Sequence, residues 1–101
     1  GGASAATQQW LRRLVLKTNS FLARFCSGHD GNQRLLARHE HVFWRQLADV
    51  SSDTGTEVVL AALYGDSGEL CAQLPEGRVR LLLRVALHTG QAKYLLLLVS
   101  I

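Results

Sequence analysis

Proline, methionine and cysteine are scarce in this sequence, and the low proline and cysteine counts restrict the structures that the chain can form. Its 101 residues include one proline, two cysteines and no methionine. With a single proline, helices can run uninterrupted over long stretches. Cys26 and Cys71 both lie among apolar residues, where a thiol acts as a small hydrophobic side chain, and two cysteines make no disulfide framework. We therefore expect a reducing compartment and no structural disulfide.

Long apolar runs are also missing. The densest one covers residues 94–101, far below the roughly 20 residues of a transmembrane helix, and no secretory signal is visible. We expect no direct membrane insertion by this segment. Hydrophobic residues make up 48% of the chain, which suffices for one small core. A net charge of +3 permits contact with acidic surfaces without requiring it.

Recognisable catalytic and metal-binding motifs are absent. The sequence has no glycine-rich phosphate loop, nucleophile elbow or H-E-x-x-H helix. His39 and His41 are two residues apart and point to different helix faces, while Cys26 and His29 straddle a helix end without a third ligand. His39 lies on an apolar stripe and is expected to be a core histidine bonded to a carbonyl. We predict no enzymatic activity, no cofactor and no metal site.

Hydrophobic residues recur at helical spacing along most of the chain. The pattern predicts helices over residues 4–27, 32–49 and 55–64, a short piece at 70–74, a helix from 75 to 89, and a last element over 91–101. The expected buried stripe of the first helix is Leu11, Leu14, Val15, Leu22, Phe25 and Cys26. That of the helix after residue 75 is Val79, Leu82, Leu83, Ala86 and Leu87. The last element is apolar on all sides, which also suits a buried strand, but we favour a helix because no partner strand is in sight.

Turn and capping residues separate these segments. Gly28 is expected in a left-handed conformation after the first helix, and Asp30 is expected to cap the second. Polar residues 50–56 form a predicted loop, and Thr54 and Glu57 have the spacing of a capping box. The remaining signals are the turn at residues 65–68, Pro75 at a helix start and Gly90 at a helix end.

The pattern of a helix, a glycine and a following helix occurs twice, and the sequence stops within its most apolar segment. In a solenoid each repeat buries its apolar face against the next, so both features favour a stack of helices continued by further residues. We predict an all-α fold, an armadillo-like helical solenoid fragment of about five to six helices. Residues 1–101 would then form a single helical segment of a larger protein.

Basic and aromatic side chains are candidates for contacts. Arg12, Arg13 and Lys17 can form one basic patch, and Arg78, Arg80 and Arg84 a second possible basic contact face. Solvated faces of amphipathic helices are the simpler interpretation, because aromatics do not interleave with these arginines as base stacking requires. No nucleic acid is expected as a partner. Among the aromatics, Phe43 is expected in the core, and Trp10 and Trp44 can pack between neighbouring repeats.

Residues 21–43, which read FLARFCSGHDGNQRLLARHEHVF, contain a distinctive order of residues. The elements that carry it are Phe21, Leu22, Cys26, Gly28, Asn32, Gln33, His39 and Phe43. This order resembles a stretch of the inositol trisphosphate receptor family, the intracellular calcium-release channels related to ryanodine receptors. Arginine stands where the family has lysine before His39, and Phe25 stands where leucine is usual. Downstream the likeness is looser, and other armadillo proteins share the helix–glycine–helix pattern.

The resemblance implies a mechanical role without ligand-binding or conducting residues. In those channels such a region belongs to the cytosolic helical solenoid, at the endoplasmic reticulum membrane, where it relays conformational change and contacts neighbouring domains or subunits. Hinges would fall at the glycine turns, Gly28, residues 65–68 and Gly90. Asn32 and Gln33 would hydrogen-bond groups left over at helix ends. The alternative is a small basic helical adaptor that binds an acidic protein, nucleic acid or an anionic membrane surface.

Overall fold

Helices account for about four fifths of the backbone in the computed structural model, which describes residues 4–49 and 53–100, without the side chain of Ser100. The helices are α1 (Ala5–Cys26), α2 (Asp30–Ala37), α3 (Glu40–Ala48), α4 (Thr56–Tyr64), α5 (Gly68–Ala72), α6 (Glu76–Thr89) and α7 (Ala92–Ser100). No strand occurs in the described ranges. The all-helical class is confirmed, as is the helical form of the last element, and the described helices number seven rather than five to six.

Some sequence-based features lie outside this part of the chain. They are Gly1, Gly2, positions 50–52 of the predicted loop and Ile101 at the end of the last predicted element. Among the helices described, none combines the length and the hydropathy needed to cross a bilayer.

The first helix begins and ends where its residues predict. The Oγ of Ser4 accepts a hydrogen bond from the backbone N–H of Thr7, at 3.2 Å, and so caps the helix. After Cys26 the chain leaves the helix, and Gly28 has a φ of +68°, which confirms the expected left-handed position. Gly90 ends α6 in the same way, with a φ of +66°.

The predicted second helix is two helices, because the chain breaks at Arg38 and His39. The backbone N–H of His39 bonds to the carbonyl of Leu36, and α3 starts anew at Glu40. The break brings His39 to an exposed position at the start of α3, where its side chain makes no capping bond. The prediction of a core histidine is therefore wrong, since it assumed one continuous stripe.

Two capping predictions are also wrong. His29 caps α2, with its Nδ1 accepting from the N–H of Asn32 at 3.1 Å, so Asp30 becomes the first helical residue instead. At α4 the cap position belongs to Gly55, whose φ is +75° and which has no side chain to accept a bond. Thr54 and Glu57 consequently form no capping box.

One helix, α4, lies at the centre of the fold. It packs against α1, α2, α3, α5 and α7, and it buries Val59, Leu60, Leu63 and Tyr64. Its sequence is apolar on most sides, which a helix requires when neighbours cover it all round. On the far side, α6 packs against α3 and α7. Globular bundles also enclose a helix in this way, so the packing establishes the all-helical class and not a solenoid.

The buried stripes are narrower than predicted. In α6, Leu82, Val85 and Ala86 are buried, whereas Val79, Leu83 and Leu87 are exposed. In α1, Leu11 and Leu14 of the predicted stripe are also exposed. These corrections have one cause: α6 and α1 each have neighbours on only part of their apolar arc, and periodicity does not tell which part is covered.

Candidate functional site

The α2 helix is tied to the ends of two other helices by its first polar side chains. Asn32 donates from Nδ2 to the carbonyl of Phe25 in the last turn of α1, at 2.7 Å. Gln33 donates from Nε2 to the carbonyls of Ala62 and Gly65 at the end of α4, at 2.9 and 2.8 Å. Carbonyls in a last helical turn have no partner within their own helix. The predicted role of Asn32 and Gln33 at helix ends is confirmed.

A salt bridge continues this connection along α2 to α5. The guanidinium of Arg34 lies 2.5 Å from a carboxylate oxygen of Glu69 and 3.0 Å from one of Asp30. The hydrogen bond to Glu69, with a further one to Asp30, raises the pKa of Arg34 above its ordinary value. All three side chains are exposed, so solvent screens the attraction. The bridge positions α5 more than it stabilises the fold.

The remaining residues of the family-like motif divide into buried and exposed groups. Cys26 and Phe43 are buried in the core, as expected. Burial raises the pKa of the Cys26 thiol, which keeps it protonated and unreactive. Leu22 is half-buried, while Phe21 and His39 are exposed. The motif therefore places a buried anchor beside a solvent-exposed face, and Leu22 and Phe43 line a small open pocket with other residues of α1 and α3.

A buried aromatic cluster joins α3, α4 and α6. Trp44 is fully buried, and its Nε1 donates to the hydroxyl of Tyr64 at 3.2 Å. That hydroxyl donates in turn to Oε2 of Glu40, and the guanidinium of Arg78 lies 5.7 Å from the centre of the Trp44 ring. Burial, with the bond to Glu40, raises the pKa of the Tyr64 phenol. A phenol held protonated in the interior is a structural donor and not an acid–base catalyst.

The second polar cluster, near the start of α4, is one that sequence reasoning missed. Asn19 is buried and donates to Gln46 Oε1 at 3.1 Å and to the carbonyl of Thr54 at 2.9 Å. Thr56 donates to the same Gln46 oxygen at 3.0 Å. Helical spacing could have indicated the burial of Asn19, because this residue falls one turn before Ala23 on the face that α4 covers. These groups satisfy one another, so the cluster is structural.

The three arginines of the predicted basic contact face do not share one face. Arg78 packs over Trp44, whereas Arg80 pairs with Glu76 at 3.0 Å and Arg84 is exposed. Positions 78 and 80 are about 200° apart around a helix. Arg78 therefore stabilises the interior cluster, and only Arg80 and Arg84 lie close together at the surface.

The histidines and cysteines do not converge. Within residues 4–49 and 53–100, no group of three or more histidine, cysteine or acidic side chains is placed to hold a metal ion. Cys26 and Cys71 are free thiols. In these same ranges every fully buried side-chain nitrogen or oxygen has a hydrogen-bond partner, so no orphaned polar group marks a ligand site.

Exposed apolar side chains are a further surface feature of the last two helices. On the outer side of α6 and α7 these are Val79, Leu83, Leu87, Leu95, Leu96 and Val99. Leu87 is 77% exposed and Val99 is 85% exposed. Large apolar residues grouped in this way are typical of contact surfaces rather than of a random exterior.

Comparison with known proteins adds no assignment to this geometry. Neither a protein-family model, nor a curated protein, nor a solved structure matches the chain. The fold and the contacts described above therefore define the protein only as all-helical, with polar side chains that connect its helices.

The pH dependence of the free energy of unfolding in alkaline solution tests the burial of the Tyr64 phenol. Tyrosine in the unfolded chain ionises near pH 10. Since the folded pKa of Tyr64 is raised, its contribution is fully present below pH ~10 and is lost as pH rises from there toward the folded value. We expect the free energy of unfolding to fall by up to about 1.4 kcal/mol per pH unit above that point. Urea unfolding between about pH 8 and 11 measures it.

Tyr64→Phe should reduce the fall in the free energy of unfolding with rising pH. Its stability at neutral pH should also be lower, because two hydrogen bonds are lost. Tyr94→Phe is the comparison at the other buried tyrosine, whose pKa burial also raises. Equal slopes in the native protein and Tyr64→Phe would contradict the assignment.

Proposed function

We propose that this chain is a non-catalytic helical segment of an inositol trisphosphate receptor-like calcium-release channel. It transmits conformational change along an armadillo-like stack and contacts neighbouring domains or subunits. The parent protein would lie at the endoplasmic reticulum membrane, with this segment on the cytosolic side.

The observation that carries the proposal is the position of Asn32 and Gln33. These two residues belong to the motif that resembles the channel family, and each bridges α2 to the end of a different helix. Helices joined at their ends by short hydrogen bonds move as one unit, because close-packed interiors transmit strain instead of absorbing it. A relay needs such a unit.

The apolar surface of α6 and α7 supports the contact role. It presents leucine and valine side chains at helical spacing, which is the surface against which a further helix packs. The left-handed glycines at positions 28 and 90 lie between rigid helices and are suited to act as hinges.

Calcium release from microsomes tests the proposal. An antibody raised against this chain should detect a polypeptide far longer than 101 residues in endoplasmic reticulum membranes. In the full-length protein, Gln33→Ala should weaken inositol trisphosphate-triggered calcium release at equal protein amount. Leu35→Ala, at an exposed site on the same helix, is the control and should leave release unchanged.

Two results would refute the proposal. One is a native polypeptide of about the 11.1 kDa of this chain in the soluble fraction. The other is normal calcium release from the Gln33→Ala protein, because the segment would then carry no part of the relay.

A further inference from the structure

The first helix contains basic residues and no acidic ones. Its sequence includes Arg12, Arg13, Lys17 and Arg24, and the first acidic residue of the chain is Asp30. All eight acidic residues therefore follow α1, although the whole chain has a net charge of only +3. The positive charge is concentrated on one helix of 22 residues.

Helical geometry brings three of these basic residues to one side. Arg13, Lys17 and Arg24 lie within about 40° of one another around the helix axis. Trp10 and Phe21 lie within about 80° on the same side, and they are 61% and 63% exposed. We call these five residues the α1 outer stripe. The expectation that aromatics do not interleave with basic residues is thus wrong for this helix.

The α1 outer stripe faces solvent because the opposite side of the helix is its core face. Asn19, Ala23 and Cys26 are buried there, about 120–180° from the middle of the stripe. Beside the stripe, Phe21 stacks on Phe25 with ring centres 6.1 Å apart. The apolar side chain of Leu14 is exposed next to the aromatics.

The positive charges of the stripe are uncompensated within the part of the chain that is described. Arg13 and Lys17 have no ion pair there, and Arg24 donates only to the Oγ of its neighbour Ser20, at 3.2 Å. Arg34, Arg80 and Lys93 elsewhere each face a carboxylate. Arg38, Arg45 and Arg84 are likewise exposed without an ion pair in the described ranges, but they lie on separate elements. The stripe therefore differs in placing three unpaired basic residues on one helix face.

We propose that the α1 outer stripe binds the surface of an anionic phospholipid bilayer. The helix would lie in the plane of the interface, with Arg13, Lys17 and Arg24 at the lipid phosphates and Trp10 and Phe21 at the headgroup–acyl boundary. Basic and aromatic residues on one exposed helix face are what interfacial helices use, and tryptophan favours this depth. Such surface contact is distinct from insertion.

The shape of the α1 outer stripe favours a bilayer surface over nucleic acid as the binding partner. The stripe runs along a helix about 33 Å long, and the open depression beside it is lined by residues of α1 alone, namely Lys17, Ser20, Phe21, Arg24 and Phe25. Single-stranded nucleic acid is held in a positively charged groove with bases stacked in succession. A planar surface of fixed negative charge fits a linear stripe better. The inference does not depend on the channel assignment.

Vesicle co-sedimentation tests the inference. The chain should bind vesicles of phosphatidylcholine with about 30% phosphatidylserine, and bind pure phosphatidylcholine at least about tenfold more weakly. Binding should fall as salt rises from about 0.05 to about 0.5 M. The triple variant Arg13→Glu, Lys17→Glu, Arg24→Glu should lose at least about tenfold, given about 1 kcal/mol per basic residue at such a surface. Trp10→Ala with Phe21→Ala should bind less but stay sensitive to salt.

Arg38→Glu, Arg45→Glu, Arg84→Glu is the matched control. It makes the same change in net charge, from +3 to −3, at exposed arginines of other helices, and it should retain most of the binding. Equal loss in both triple variants would overturn the proposal, because net charge alone would explain it. No binding to anionic vesicles, or binding of a single-stranded oligonucleotide in preference to them, would overturn it as well.

Discussion

Trp44→Ala is expected to lower the free energy of unfolding by about 3–5 kcal/mol, the largest loss for any single substitution considered. The side chain is fully buried between α3, α4 and α6. Its removal leaves a cavity, leaves the Tyr64 hydroxyl without its donor and takes away the ring beneath Arg78. Urea denaturation followed by circular dichroism measures the change.

A loss of this size is a large part of the stability of a small domain, about 5–15 kcal/mol in total. Trp44→Phe keeps the test usable if the alanine variant does not fold. It retains most of the packing and removes the Nε1 donor, so about 1–2 kcal/mol should be lost. Trp10→Ala is the matched control at an exposed tryptophan and should cost less than about 0.5 kcal/mol. Equal losses for Trp10→Ala and Trp44→Ala would contradict the burial of Trp44.

Gln33→Ala is expected to cost about 2 kcal/mol, because one buried amide satisfies two carbonyls. The Gln33 side chain is only 4% exposed, and its truncation leaves the carbonyls of Ala62 and Gly65 without their donor. Asn32→Ala removes a single bond, to Phe25, and should cost about 1 kcal/mol. The same denaturation measurement ranks the two variants.

Gln33→Glu separates hydrogen bonding from packing. The carboxylate has nearly the same shape but has no proton to donate and faces two carbonyl oxygens. We expect it to be less stable than Gln33→Ala at neutral pH and to recover below pH ~4, where the acid becomes protonated and can donate. A glutamate variant as stable as the native chain at pH ~7 would show that these bonds do not hold α2 to α4.

Local signals in the sequence identified the helices and several of their ends. Gly28 and Gly90 were predictable because a left-handed residue after a helix strongly favours glycine. Phe43 and the helix-end role of Asn32 and Gln33 were also predictable, the latter through the resemblance to the channel family. The glycine turns and the Asn32 bond depend on residues close together in the chain, whereas the Gln33 bonds reach residues 29 and 32 positions away.

Features set by distant segments were not predictable. Two local predictions also failed: the chain breaks between α2 and α3 at His39, which leaves that side chain exposed, and His29 rather than Asp30 caps α2. Trp44 could be recognised as apolar, but its partners Tyr64 and Arg78 come from helices far along the chain. The α1 outer stripe was missed because aromatic and basic residues were compared along the sequence and not around the helix.

The central position of α4 has a consequence for synthesis on the ribosome. Its neighbours include α1, made well before it, and α7, made well after it. When a nascent chain has emerged only as far as Tyr64, the segment that covers one side of α4 has not yet left the ribosome, so the α4 leucines stay accessible to chaperones until α7 emerges. Complete burial of α4 therefore has to wait until α7 has emerged from the ribosome.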